Sequence, residues 1–353
     1  LFAYVRLGAT SSKLLSVMPS TCGLDSLGAF CSALPGRTQA MACAAPIHGW
    51  YRKETTKNHK RQFTARISEA FVDMPLSIPC GQCVLCRKTL QRDWALRLDL
   101  EAQVHPANMF LTLTYDDKHL PRSPTGLPTL RAEHVTLFLK RLREFFDRKG
   151  EGKRLRFYCC REYGDRTQRP HYHLLVYGVC FSDLRLHRGG KNALYTSIDL
   201  QSLWTYGFSS VGISLGEGAG SYVSAYAVKL LKGLAKDAYG DREPPGSTMS
   251  LKPALGIPWL EKYHRDVFPD GTITLKGGVK VPAPLAFVRW YADFDPDGFR
   301  LLKARRHAEA WQAFVDELKT PNEPSRRGAL YNMRREANIL AREKAHLKRP
   351  LHG

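Results

Sequence analysis

His171 and His173 stand one residue apart in Arg169-Pro170-His171-Tyr172-His173-Leu174-Leu175-Val176-Tyr177-Gly178. The aromatic and branched residues after Pro170, closed by a glycine, read as a buried β-strand. Alternate side chains of a strand share a face, so both imidazoles project to one side while Tyr172, Leu174 and Val176 point into a core. Two imidazoles held side by side on a rigid element suit a divalent cation. Hydrogen-bonded surface histidines are the plainer alternative, and His-x-His alone does not decide between them. Glu162, at the end of the preceding strand, adds weight to the first. If the two strands pair across the connection 164–170, Glu162 reaches the same end of the sheet as His171. A carboxylate with two imidazoles is a three-ligand site that leaves positions open for substrate. On its own, Glu162 would as readily be a surface charge or a partner for Arg161 or Arg166.

Tyr222, Tyr226 and Lys229 form a second group, in Ser221-Tyr222-Val223-Ser224-Ala225-Tyr226-Ala227-Val228-Lys229. Helical spacing places these three on one face and Val223, Ala227, Leu230 and Leu234 on a neighbouring one. The helix then has an apolar side without the tyrosines. A phenol is a competent nucleophile where its phenolate is favoured, and a lysine one turn away favours it. A third group is Cys80-Gly81-Gln82-Cys83-Val84-Leu85-Cys86. Two-residue gaps let neighbouring thiolates reach one tetrahedral zinc, whose closed structural sites take four ligands. Cys43 or His48 could supply the fourth; the alternative is three free cysteines at a helix start.

The elements that would position these groups can be read around them. Phe110–Tyr115 alternates as a strand and ends in Asp116-Asp117. Val135, Phe138, Leu139, Leu142, Phe145 and Phe146 recur at helical spacing, with Lys140, Arg141, Arg143 and Arg148 opposite. Residues 155–162 and 208–215 read as further strands, the latter leading through 216–220 into the tyrosine helix. A helical pattern covers 87–103. The order strand–helix–strand–strand–strand–helix predicts an α+β fold, one mostly antiparallel sheet with helices packed against it. Beyond Gly240 the signals weaken to a hairpin turn at Gly277-Gly278 and a basic, helical C-terminus from Ser325.

Composition sets the class of partner. A formal charge of +20 over 353 residues implies a polyanion, most simply nucleic acid. No apolar run is long enough to span a bilayer, so no membrane partner is expected. Nine cysteines without a secretory signal suggest reduced thiols or metal ligands. Residues 1–40 are nearly uncharged and aperiodic, and are expected to be a flexible or non-native leader, with the functional chain starting at Met41.

The first strand at Phe110–Tyr115, the Pro170-His171-Tyr172-His173 stretch and Tyr222-x-x-x-Tyr226-x-x-Lys229 together resemble the three motifs of rolling-circle replication initiators, the His-hydrophobic-His (HUH) endonucleases. More narrowly, Cys80–Cys86, Phe110–Asp117, Glu162-Tyr163-Gly164 and Trp204-Thr205-Tyr206-Gly207-Phe208-Ser209-Ser210 resemble the initiator of gokushovirus-type Microviridae, small phages with single-stranded DNA genomes. The resemblance runs from about Met41 to Lys232. It implies a ferredoxin/RRM-like HUH fold and a site-specific single-strand endonuclease and ligase. Glu162, His171 and His173 would hold Mg²⁺ or Mn²⁺ at the scissile phosphate, although histidines alone would also suit zinc. Tyr226 or Tyr222 would attack, leaving a 5′-phosphotyrosine and a free 3′-OH, with Lys229 assisting. A structural zinc on Cys43, Cys80, Cys83 and Cys86 stays open beside this.

The organisation this implies is a leader (1–40), a basic and Cys-rich segment (41–105), an HUH nuclease core (106–240) and a basic C-terminal region (241–353). The chain has no Gly-x-x-x-x-Gly-Lys-Ser/Thr loop, so a host helicase and polymerase are the expected partners on origin DNA, in the bacterial cytoplasm. The alternatives are a transposase or relaxase with the same chemistry, or a non-catalytic nucleic-acid-binding or packaging protein.

Overall fold

Met109, Leu111, Leu113 and Tyr115 are all buried while Asn108, Phe110, Thr112 and Thr114 between them are half-buried. That alternation makes a strand with two different faces, and the fold is built on the difference. The computed structural model describes residues 43–56, 61–151, 155–164, 167–190, 193–212, 220, 239–268, 270–319, 333 and 335–341. The leader 1–40, the tyrosine stretch 221–229 and most of the chain beyond 320 therefore lie outside the described residues.

In chain order, β1 (Ile47–Thr55), β2 (Arg61–Thr64) and β3 (Ala70–Ile78) form a small antiparallel sheet with β1 in the middle. Helix α1 (Val84–Gln103) follows, then β4 (Asn108–Tyr115), α2 (Ala132–Arg148), β5 (Arg156–Tyr163) and β6 (Pro170–Tyr177). Next come β7 (Arg185–Arg188), β8 (Leu194–Thr196), the short α3 (Ile198–Leu203), β9 (Gly207–Gly212) and β10 (Gly246–Met249). The C-terminal part holds α4 (Ile257–Val267), the β11–β12 hairpin (Thr272–Thr274 and Lys280–Pro282), α5 (Leu285–Phe294) and α6 (Pro296–Lys319). The main sheet has seven strands in the order β10-β5-β6-β4-β9-β8-β7, and every pairing in it is antiparallel. The protein is thus α+β, with helices packed against an open antiparallel sheet. Among the described residues no helix is long and apolar enough to cross a membrane.

One face of the main sheet is sealed by α2. Val135, Phe138, Leu139, Leu142 and Phe146 on α2 are buried against Leu111, Leu113, Tyr115, Tyr172, Leu174 and Val176. This is the stripe that the helical spacing in the sequence predicts. Trp204 closes the same core at the β9 end, its indole Nε1 donating to the Thr114 carbonyl at 2.8 Å.

The opposite face carries Tyr158, Cys160 and Glu162 on β5, His171, His173, Leu175 and Tyr177 on β6, and Phe110, Thr112 and Thr114 on β4. Its rear half is covered by α1, where Leu98 packs with Tyr158, Cys160, Leu175 and Tyr177. Glu101 pins that helix from inside: it is fully buried, ion-paired to Arg156, bonded to His105 Nε2 (2.9 Å), and accepts from the Gly256 N–H (2.6 Å) that starts α4. The front half of the face holds the histidines.

Candidate functional site

Register decides whether the predicted ligands meet. β5 and β6 pair so that Glu162 lies directly opposite His171, and Cys160 opposite His173. On the other flank, Thr114 opposes His171 and Thr112 opposes His173. Directly opposed residues share a face, so Glu162, His171 and His173 all project to the side that α1 leaves partly open, at the front end of the sheet. Tyr172, Leu174 and Val176 point the other way and are completely buried.

The three side chains are not equivalent. Glu162 Oε1 lies 3.0 Å from His173 Nε2, in a contact only 12 % and 8 % exposed on its two sides. His173 Nδ1 lies 3.2 Å from the Thr112 hydroxyl, which fixes the ring from behind. His171 Nδ1 donates to the Arg169 carbonyl at 2.6 Å, leaving Nε2 as that ring's ligand atom. The two imidazoles lie nearly parallel, 6.4 Å apart at their centres. Burial pushes the His171 pKa below its ordinary value, outweighing the Arg169 carbonyl, which favours the charged form. A neutral imidazole is the form that can donate a lone pair to a cation. The second oxygen of Glu162, Oε2, is buried with no hydrogen-bond partner. A buried carboxylate oxygen left unsatisfied is costly, and here it lies beside two imidazoles.

Glu162 is not the partner of Arg161, which points to the other face and pairs with Glu243 at 2.7 Å. Arg166 lies outside the described residues. The donor set of one carboxylate and two imidazoles fits a divalent cation, and Glu162 Oε2 is a ready ligand. The three ligand atoms are nonetheless not gathered as a closed cluster. Among the described residues only Cys43, Cys80, Cys83 and Cys86 bring all their ligand atoms within 4.8 Å of one another. Cys43, not His48, is the fourth member; His48 Nδ1 is 2.7 Å from the Ser77 hydroxyl.

Two glycines shape the rim. A Cβ on Gly164 would lie 3.0 Å from His171 Cε1, so the absence of a side chain lets the ring lie against the turn. A Cβ on Gly207 would collide with the Asp116 nitrogen, so β9 can approach the end of β4 only with glycine there. That approach explains the stretch Trp204–Ser210. Trp204 is buried, Tyr206 stacks on His134 (4.1 Å, 7°), Gly207 clears the backbone, and Phe208 emerges 66 % exposed. Phe208 opposes Thr114, which opposes His171, so this exposed ring belongs to the same cross-strand row as the histidine. Thr112 and Phe208 are site residues that the sequence alone does not single out. Register is the signal that finds them, once β4 and β9 are both placed.

Tyr222, Tyr226 and Lys229 lie outside the described residues. Gly220 is described: its N–H donates to Asp99 of α1 at 2.9 Å, and a Cβ on it would strike the Ala95 carbonyl. The chain therefore enters the tyrosine stretch against α1, the helix that covers the histidine-bearing face. Tyr115 and Tyr172, whose hydroxyls meet at 2.7 Å, belong to the opposite core. Burial raises both phenols, Tyr172 to about 12, so neither supplies a phenolate.

Comparison with known proteins gives one consistent family. The profile of the replication-associated protein ORF2 family matches residues 108–231. The chain is 34% identical over 251 residues to replication-associated protein VP4 of Bdellovibrio phage phiMH2K, covering 69% of this chain and 72% of that one. It is 34% identical over 219 residues to replication-associated protein ORF2 of Spiroplasma virus 4 (60% and 67%). It is 31% identical over 207 residues to replication-associated protein ORF4 of Chlamydia phage 1 (57% and 50%). No solved structure matches the chain.

Proposed function

This chain belongs to the phage replication-associated protein family, with relatives in gokushoviruses, and from that premise we propose that it initiates rolling-circle replication by nicking and rejoining single-stranded origin DNA. The observation that carries the reading is the Glu162–His173 pair beside His171, with a buried and unpartnered Glu162 oxygen, on the sheet rim that also bears exposed Phe208.

Glu162 Oε2, His173 Nε2 and His171 Nε2 are the atoms that would hold Mg²⁺ or Mn²⁺. Once bound, such an ion neutralises charge on the scissile phosphate and on its leaving oxygen. The protein's part is to place the donors beforehand. Thr112 holds the His173 ring, the Arg169 carbonyl and Gly164 hold His171, and the β5–β6 register sets Glu162 opposite. Phe208 offers a face on which a base can stack, and the positive charge of the chain attracts the backbone. Tyr226 or Tyr222 then attacks phosphorus. The P–O bond to tyrosine forms as the P–O3′ bond breaks, and the 3′-oxygen gains a proton to become the free 3′-OH. Lys229 favours the phenolate. The ester conserves the bond energy, so rejoining needs no nucleotide. Two tyrosines four residues apart allow a second cleavage while the first still holds an end. Unwinding and synthesis fall to a host helicase and polymerase, in the host cytoplasm.

The test is a denaturing gel of protein incubated with labelled origin oligonucleotide. A covalent protein–DNA band is expected that needs a divalent cation and is lost in His173→Ala, while gel-shift binding persists. Full cleavage in excess chelator would remove the metal role. Tight binding with no covalent band under any condition favours the packaging alternative.

A further inference from the structure

The Cys43, Cys80, Cys83 and Cys86 cluster lies apart from the histidine site, and we propose that it is a tetrahedral zinc centre that fastens the β1–β3 sheet to helix α1. The four sulfurs all lie within 4.8 Å of one another, and Cys43 and Cys83 Sγ are 4.0 Å apart. With Zn–S bonds of about 2.3 Å, a regular tetrahedron separates its sulfurs by roughly 3.8 Å. The spacing is therefore too long for bonded sulfurs and right for ligands of one ion. Four thiolates select zinc over the oxygen-seeking cations suited to the carboxylate–imidazole site, so the two centres would not compete for metal.

The backbone around the sulfurs supports the same assignment. Cys80 N–H donates to Cys43 Sγ (3.3 Å). Gln82 and Cys83 N–H both donate to Cys80 Sγ (3.4 and 3.3 Å). Ala44 and Cys86 N–H donate to Cys83 Sγ (both 3.5 Å). A neutral thiol is a weak acceptor and gives little reason to aim five amides at three sulfurs. Metal-bound thiolates carry a net negative charge that such donors offset, as does the N-terminus of the 20-residue helix α1. Cys43 and Cys86 are buried, and Cys80 and Cys83 half-buried, as in a closed structural site with no open coordination position.

The placement supplies the reason for a metal. Cys43 precedes β1, Cys80 follows β3, and Cys83 and Cys86 begin α1, so one ion ties both ends of the small sheet to the helix. That sheet has little core of its own: among its described side chains only Thr64 and Ala70 are buried. Small elements of this kind are commonly held by a staple.

Metal analysis of the full-length protein, purified from zinc-supplemented cells, should find one zinc per chain. Exchange with Co²⁺ should give intense thiolate-to-cobalt absorption and the visible bands of a tetrahedral ion. The Cys80→Ser/Cys83→Ser double variant should fall to none, whereas Cys180→Ser keeps its zinc. Stripping the metal should make residues 47–78 the first site of limited proteolysis. Absence of stoichiometric zinc with absence of the cobalt bands would overturn the assignment. So would full zinc in the double variant, or intramolecular disulfides in the native mass. If the double variant does not fold, the wild-type cobalt spectrum still decides.

Discussion

Glu162→Gln isolates the role of a single charge. Glutamine keeps the volume of the side chain and an oxygen for the His173 contact, but cannot offer a charged ligand at the Oε2 position. If the carboxylate supports a cation at the phosphate, single-turnover cleavage of origin DNA should fall by at least about 100-fold, in line with roughly 3 kcal/mol for lost electrostatic stabilisation. DNA affinity should be nearly unchanged. An unaltered cleavage rate would dismiss Glu162 as a ligand. Gly164→Ala tests the same site by shape. The added methyl presses on His171 Cε1 from 3.0 Å, so cleavage should drop while the thermal midpoint moves little. Phe208→Ala should weaken single-strand binding by about 1–3 kcal/mol if a base stacks there, with no loss of stability because the ring is exposed.

At the scale of elements, Glu101 matters more than any group near the histidines. It is a buried carboxylate joining α1, the start of β5 and the start of α4. Burial alone would raise its pKa, yet hydrogen bonds from His105 and Gly256 and the charge of Arg156 hold it below the usual carboxylate range. A depressed folded-state pKa contributes stability above the unfolded value of about 4.3. That contribution is lost as pH falls through the folded value. Glu101→Ala should therefore cost about 3–5 kcal/mol at neutral pH, as for breaking a buried ion pair. The difference from wild type should shrink in strong acid, which denaturant titrations at several pH values would show. A constant difference down to strong acid would contradict it.

Nothing in the local sequence around Glu101 announces this role, because its partners are 55 and 155 residues away. The β5–β6 register, in contrast, was legible: a short connection between two alternating runs forces Glu162 opposite His171. β10 was not, since Gly246–Met249 has too few residues for a periodicity and finds its place through pairing with β5. The sequence likewise left Cys43 and His48 as equal candidates for the fourth thiolate position. Only the return of the chain through β1 and β3 separates them.

For the whole molecule, the charge of +20 carries affinity and little specificity. Single-strand binding should weaken steeply with salt, with a slope of roughly −0.7 per phosphate contacted in a log–log plot. Phe208→Ala should lower the whole line without changing its slope, since stacking releases no counterions; a changed slope would assign Phe208 an indirect electrostatic role. The central claim is that the histidine face and the tyrosine stretch act on one phosphate. Mass spectrometry of the covalent product on an origin oligonucleotide tests it most directly. The account predicts a nucleotide-bearing peptide that contains Tyr222 or Tyr226, and no adduct in the Tyr222→Phe/Tyr226→Phe double variant. A nucleotide attached to any other residue, or an undiminished adduct in the double variant, would contradict it.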